Sequence, residues 1–288
     1  MDGTIQFRAP VPEAIRSAGL QPVDMHFHTN HSDSPTKVKD ALKLAKRRGV
    51  GLAITDHNQI SGVLEAHRVA SGVMLIPGIE ISANDGPHIL LYFSVLAELR
   101  DFYRRYVATN KRNAPFVAVR LNTREILQAS EEYCCVVSEA HPFGYFFLSR
   151  GMAWCPDREG SGRSPRSRLD ALEVICGGMA RSHNLKAGTI ARSLGLGCTG
   201  GTDGHLLHEL GGVVTCARAD SVEEFLDAIV HRRTVVIGRE KSLPQKALMG
   251  AAVLPHHLPY AVPILQVRWE QNLPRIRRFV RGTRKDLS

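Results

Sequence analysis

The chain is predicted to be an α/β protein with a mostly parallel sheet. Strand-like apolar runs alternate with segments of helical periodicity from residue 23 to residue 237, as expected of successive βα units. Histidines and carboxylates recur at the ends of those runs, and in parallel α/β folds the carboxyl ends of strands face the site. At 288 residues the chain forms one large domain, or one domain with a tail.

Residues 23–28 read as a short strand. Val38, Ala41, Leu42 and Ala45 then recur at helical spacing, with Lys43, Lys46 and Arg47 outside and Gly49 placed to end the helix. Residues 51–55 form a buried strand, 63–69 a helix, 74–82 a strand carrying Pro77-Gly78, and 89–93 another strand. The basic stretch 96–130 predicts two helices joined around Asn113-Ala114-Pro115. A strand over 134–138 leads to His141, a Ser/Gly/Arg loop occupies 160–168, and 171–175 is a strand followed by a helix over 184–194. Residues 197–201 lead into Asp203, and 212–216 is a strand. Ser221-Val222-Glu223-Glu224 has the capping-box pattern before Phe225, and 234–237 is the last strand. The expected division is a lead-in over 1–22, a domain over 23–239, and a basic, proline-containing C-terminal extension over 240–288, where the periodicity dissolves.

Hydrophobic content of 43% and charged content of 23% suit a globular protein with a substantial core. The net charge of +9 and pI near 9.5 favour an anionic partner, either a phosphorylated substrate or nucleic acid. None of the six cysteines forms a C-x-x-C pair, and no secretory signal is expected, since no basic region followed by an apolar core is seen near residue 1. A cytoplasmic setting with free thiols is expected. The most apolar stretch, 249–267, is broken by Pro255, Pro259 and Pro263 and carries His256 and His257, so no membrane span and no membrane partner are expected.

His26 and His28 lie two positions apart on a strand and project to one face. Asp33 follows in a short loop, Asp56-His57 ends the next strand and Glu80 the one after. Leaving Asp56 aside, His88, His141, Asp203 and His205 complete nine positions. Imidazole and carboxylate hold borderline and hard divalent cations, so the set points to hydrolysis assisted by more than one metal. Zn²⁺, Mn²⁺ and Fe²⁺ all suit mixed nitrogen and oxygen ligation. A single carboxylate such as Glu80 can bridge two cations, one oxygen each.

Other residues get plainer readings. Asp56 is expected to orient His57 or another ligand, His31 to sit in a loop, His67 on a helix surface, and His208 along the pocket wall. His183 either caps a helix start or contacts substrate. His256 and His257 have no partner spacing. Arg150, Arg158, Arg163, Arg166 and Arg168 follow His141 in a loop, where Arg150 and Arg163 are candidates to fork onto a substrate phosphate; the alternative is a solvated loop.

The order H-x-H-T-x-x-S-D, T-D-H, P-G-I-E-I-S, H-I, H-P and G-G-T-D-G-H resembles the PHP (polymerase and histidinol phosphatase) metal-dependent phosphoesterases. The resemblance implies a distorted (β/α)7 TIM-like barrel holding three divalent metals. It implies His26, His28, Glu80 and Asp203 for the first metal, Glu80, His88 and His141 for the second, and Asp33, His57 and His205 for the third. It also implies hydrolysis of a phosphomonoester or nucleotide phosphate by a hydroxide held between metals, with Glu80, Asp203 and His205 at the catalytic centre. His205 or a water on the third metal would meet the leaving oxygen. Three alternatives stay open: an exonuclease or phosphodiesterase on oligonucleotides, favoured by the charge; a non-catalytic, metal-stabilised module binding through the basic tail; and hydrolysis of a C–O or C–N bond by a similar site.

Overall fold

A computed structural model describes residues 4–69, 72–144 and 168–285, with side chains to residue 273. The predicted alternation is present. Strand β1 (Ile5–Gln6) and helix α1 (Pro12–Ser17) precede β2 (Gln21–Phe27), α2 (Val38–Arg48), β3 (Gly51–Ile54), α3 (Ser61–Arg68), β4 (Leu75–Ser82) and β5 (His88–Phe93). Then come α4 (Leu96–Phe102), α5 (Thr123–Ser130), β6 (Cys135–Glu139), β7 (Ala171–Cys176), α6 (Arg181–Ser193), β8 (Gly197–Gly201), β9 (Val213–Ala217), α7 (Val222–Val230) and β10 (Val235–Gly238). Local chemistry sets the boundaries. Gly49 ends α2 in the left-handed conformation at φ 62°, and Ser221 caps α7 by accepting from the Glu224 N–H.

The strands form one sheet in the order β1-β10-β9-β2-β3-β4-β5-β6-β7-β8. The sheet curls until its far end returns to β2: the His28 N–H donates to the Gly204 carbonyl at 2.9 Å. The sheet is more mixed than expected: among the described residues five strand pairings are parallel and four antiparallel. Strand β5 runs antiparallel to both β4 and β6, and β9 antiparallel to both β2 and β10. Only residues 83–87 join β4 to β5, too few for the dozen or more that a parallel crossover needs. Alternation along β4 and β5 then sorts the side chains. Ile79, Ile81, Ile89, Leu91 and Phe93 join the core that packs under the helices with Leu99, Phe102 and Ile126. Glu80, His88, Leu90 and Tyr92 point the other way, into the curl.

The two flanks are more ordered than the sequence suggests. The lead-in adds β1 to the edge strand β10. The 240–288 extension is helical over most of its length, as α8 (Leu243–His257), a 3-10 turn (Leu258–Tyr260) and α9 (Ala261–Lys285). Its prolines look like breakers in sequence, and Pro255 does lie inside α8. In α9, apolar side chains lie both against the domain, at Ile264 and Val267, and on the exposed side, at Val262, Leu265 and Trp269, which blurs the amphipathic signal. By length and composition alone, Leu243–Leu273 is long and apolar enough to cross a membrane, and its most apolar window buries nothing in the fold.

Candidate metal centre

Four donor atoms meet at the mouth of the curl. His26 Nε2 and His28 Nε2 lie 3.1 Å apart, and Asp203 Oδ1 is 3.5 and 3.1 Å from them. Glu80 Oε2 is 3.4 and 3.5 Å from the same two nitrogens. A tetrahedral site with ligand bonds of about 2.0–2.1 Å has edges of about 3.4 Å. Two imidazole nitrogens and two carboxylate oxygens converging at this spacing fit a divalent cation.

The other oxygen of Glu80 faces away. Glu80 Oε1 is 2.9 Å from His88 Nδ1 and 3.2 Å from His141 Nε2, so one carboxylate divides its oxygens between two groups of imidazoles. A third group surrounds Asp33, with His205 Nε2 at 3.3 Å from Oδ1 and His57 Nε2 at 3.7 Å from Oδ2. His28, Asp33, His57 and His205 offer ligand atoms all within 4.8 Å of one another. His57 faces two ways, because its Nδ1 is also 2.8 Å from Glu80 Oε2. All nine residues singled out in the sequence therefore lie in one continuous cluster.

Carboxylates outside the cluster hold it in place. Asp24 accepts from the Thr202 N–H (2.9 Å), the Thr202 hydroxyl (2.7 Å) and the Gly211 N–H (2.8 Å), which fixes the turn carrying Asp203. Asp56 accepts from the Thr29 N–H and hydroxyl (both 2.7 Å) and from Ser32 (2.8 Å). It thus orders the loop that carries Asp33, rather than orienting His57. Glu173 meets His26 Nδ1 at 3.0 Å and accepts from the His141 N–H at 2.8 Å. A carboxylate behind a ligating histidine fixes the tautomer that leaves Nε2 facing the metal. His205 is set similarly: its Nδ1 lies 3.2 Å from the Asp203 carbonyl, leaving Nε2 inward. Only glycine fits at 201, since a Cβ there would come within 2.3 Å of the His26 Cβ. His141 (φ 29°) and Asp203 (φ 46°) both adopt left-handed backbone, a strain that tends to gather at functional sites.

The cluster's electrostatics keep its carboxylates ionised and divide its imidazoles, lowering His28 and His88 while, against burial, neighbouring carboxylates raise His26, His57 and His205. Burial pushes the Glu80 carboxyl up, but the charges of His57, His26 and His88 outweigh it and hold the group well below the usual carboxylate range. Asp33 and Asp203 are held down in the same way, Asp33 by His205 and His57, and Asp203 by His26 and His28. Burial lowers His28 to about 3 and His88 to about 4, the first reinforced by His205 and His57. Both therefore stay neutral, as a ligand must. Burial also lowers His57, yet Glu80 and Asp33 raise it to about 9.

The remaining sequence candidates are placed as follows. Arg150, Arg158, Arg163 and Arg166 lie outside the described residues. Arg168 pairs with Asp170 at 2.6 Å and donates to the Cys135 carbonyl, a structural role away from the centre. His183 sits on α6 without capping it and stacks on Phe143 at 5.3 Å, two residues past His141. His31 pairs with Glu65 at 2.8 Å, and His208 is exposed rather than lining the pocket.

Sequence reasoning missed three contributors. Glu173 is the only acid inside the apolar run of β7, a signal that was there to be used. Lys241 is buried, donates to the Asp203 carbonyl at 2.8 Å and pairs with Glu209 at 3.0 Å. His257, from the end of α8, reaches Asp33 Oδ2 at 3.0 Å and packs on Phe116; nothing in its sequence spacing announces this.

Residues 181–234 match the PHP-associated family, PHP_C. No match was found among curated proteins. The fold is similar to that of a two-domain protein from Bacteroides vulgatus containing a predicted PHP-like metal-dependent phosphoesterase (TM-score 0.56, 15% identity, 81% of this chain and 68% of that one). It is also similar to the lesion-specific endonuclease Q from Pyrococcus furiosus (0.58, 17%, 75% of this chain and 57% of that one). A complex of endonuclease Q with a 27-mer duplex carrying an abasic lesion at the active site gives 0.59 and 18%, covering 77% of this chain and 60% of that one. The chain is thus similar to PHP proteins in two respects, a PHP-associated match over residues 181–234 and a shared fold.

Proposed function

We propose that the chain is a phosphoesterase that hydrolyses a small phosphorylated substrate at three divalent cations held in a distorted barrel. The division of Glu80, with Oε2 towards His26 and His28 and Oε1 towards His88 and His141, carries this reading. His26, His28, Glu80 and Asp203 would hold the first cation, Glu80, His88 and His141 the second, and Asp33, His57 and His205 the third. Cations bound there supply activated water and neutralise phosphate oxygens. The chain's own part is to keep the carboxylates ionised and His28 and His88 neutral, with Glu80, Asp203 and His205 as the central set.

The side chains of His57, His88, His205 and Asp203 keep 11%, 8%, 7% and 7% exposure, while His26, His28 and Glu80 keep none. The C-terminal helices stand beside the third ligand group, with His257 on Asp33 and with Phe116 flanked by His257 and Tyr260. His183, and Arg150 or Arg163, are the proposed substrate contacts.

A second reading, phosphodiester cleavage in oligonucleotides, is favoured by the +9 charge and by the fold shared with endonuclease Q, of which this chain spans little more than half. A turnover screen of nucleotides, sugar phosphates and short oligonucleotides with Mn²⁺ and Zn²⁺ separates the two. Turnover of monoesters alone supports the first reading. Cleavage of oligonucleotides alone, weakening steeply with salt, supports the second. No turnover of any phosphoester by metal-loaded protein overturns both.

A further inference from the structure

We propose that the C-terminal helical segment lies flat on an anionic lipid surface, holding the metal domain against a membrane. This replaces the expectation that the protein has no membrane partner, and it stands independently of which phosphoester the centre cleaves.

The segment is two-faced in an unusual way. Its inner face is committed to the domain: Val267 is buried against Ala114, Val117 and Ala118, Arg112 pairs with Glu270 at 2.7 Å, and His257 meets Asp33. The opposite face should be polar if it met only water. Instead Leu254, Leu258, Val262, Leu265 and Trp269 are 55–77% exposed. Their spacing of four, four, three and four places them in one stripe on a helix. Leu243, 81% exposed, extends the same side towards the N-terminal end of α8. From Leu254 to Trp269 the stripe runs about 22 Å at 1.5 Å per residue. Single exposed leucines are ordinary, but a contiguous apolar stripe marks an interaction surface.

Charge identifies the occupant. The stripe ends at Trp269, and α9 then continues through a stretch whose sequence holds Arg275, Arg277, Arg278, Arg281, Arg284 and Lys285 without an acidic residue among them. An indole at the boundary between apolar and basic segments is the arrangement of chains seated at a headgroup layer. Basic clusters add attraction to anionic lipid. The Leu243–Leu273 stretch is apolar enough to span a bilayer. Its inner face is engaged with the domain, however, so lying in the interface keeps those contacts and spanning would break them. A second copy of this chain is a less suitable occupant, because the basic run beyond the stripe would have no opposite charge to meet.

The test is co-sedimentation of the full, metal-loaded chain with vesicles of phosphatidylcholine alone and with about 30% phosphatidylserine. Binding is expected only to the anionic vesicles, and it should weaken when salt rises from about 0.1 to about 0.5 M. The variant L254E/V262E/L265E/W269E changes only exposed positions. It should lose at least about tenfold in vesicle binding, because charge on the apolar side of an interfacial helix opposes insertion. Its helicity, metal content and turnover of soluble substrate should match wild type. Absence of binding to anionic vesicles overturns the proposal. So does equal binding by the glutamate variant. A wild-type dimer that the variant converts to monomer assigns the stripe to self-association and overturns it too.

Discussion

The first and third ligand groups of the centre are built from different materials. The first, His26 with His28, Glu80 and Asp203, rests on β2, β4 and the turn after β8, and its cross-residue donor distances fall between 3.1 and 3.5 Å. Glycine at 201 lets β8 pass against the His26 backbone, and Glu173 locks the ring from behind. The third, Asp33 with His57 and His205, rests on loops and turns, spreads to 3.7 Å, and is completed from a helix more than two hundred residues away by His257. Strands supply precision because their positions are fixed by ladders on both sides. Loops supply access, and need carboxylates such as Asp56 to make them definite. The chain thus places a tight, closed group beside an adjustable, open one. Removing a strand-borne ligand should disable the whole centre, whereas loosening a loop should affect one cation.

The largest effect is expected at the shared residue. Glu80→Gln removes half the charge holding two groups together and should lower turnover by at least about 10³-fold, in the range seen when a central electrostatic group is lost. Metal analysis of the folded variant should show depletion at two sites. Equal turnover would remove the bridging role.

Glu173→Gln comes next. The amide keeps the shape but weakens acceptance from His26 Nδ1 and from the His141 N–H, so metal affinity or activity should fall by about 10–100-fold, the usual cost of losing the group behind a ligand. Titration with Mn²⁺ or Zn²⁺ measures this. A variant binding all its metal as tightly as wild type would show that His26 is oriented by its strand alone.

How much of this was legible in the sequence follows the same divide. Strand-borne ligands announce themselves, because a two-residue period places His26 and His28 on one face, and each later ligand follows a recognisable apolar run. The order of motifs then carried the resemblance to PHP proteins. The mixed strand directions were harder to see: the short link over 83–87 does imply a hairpin, but β9 is antiparallel through long-range pairing that no local signal records. The helical extension was hidden by prolines and by apolar side chains on both sides of α9. Asp56 is legible as a support for His57 or another ligand, but which of them it serves is not, since only folding brings Thr29 and Ser32 to it.

Asp56→Asn should produce a smaller, localised change. One amide oxygen cannot accept from three donors, and losing one or two charge-assisted bonds costs about 1.5–3 kcal/mol each. That should loosen the loop carrying Asp33 while the Glu80 groups keep their cations. Two of three metals retained, with a lower melting temperature, is the expected pattern. Uniform loss of all metal would mean the loops and strands form one unit.

The smallest and most discriminating effect belongs to His257. Its Nε2 reaches Asp33 Oδ2 at 3.0 Å but stands outside the group of ligand atoms that converge within 4.8 Å. It therefore positions Asp33 rather than binding metal itself. His257→Ala should weaken only the third group, by about threefold to tenfold given one lost hydrogen bond to a carboxylate. His257→Gln, which can still donate, should restore most of that affinity. A competing chelator resolves the weakest of the three cations from the others and reads both variants directly. If alanine leaves the weakest cation unchanged, the C-terminal helix merely borders the mouth. If glutamine rescues it, the extension supports the third ligand group through the hydrogen bond to Asp33.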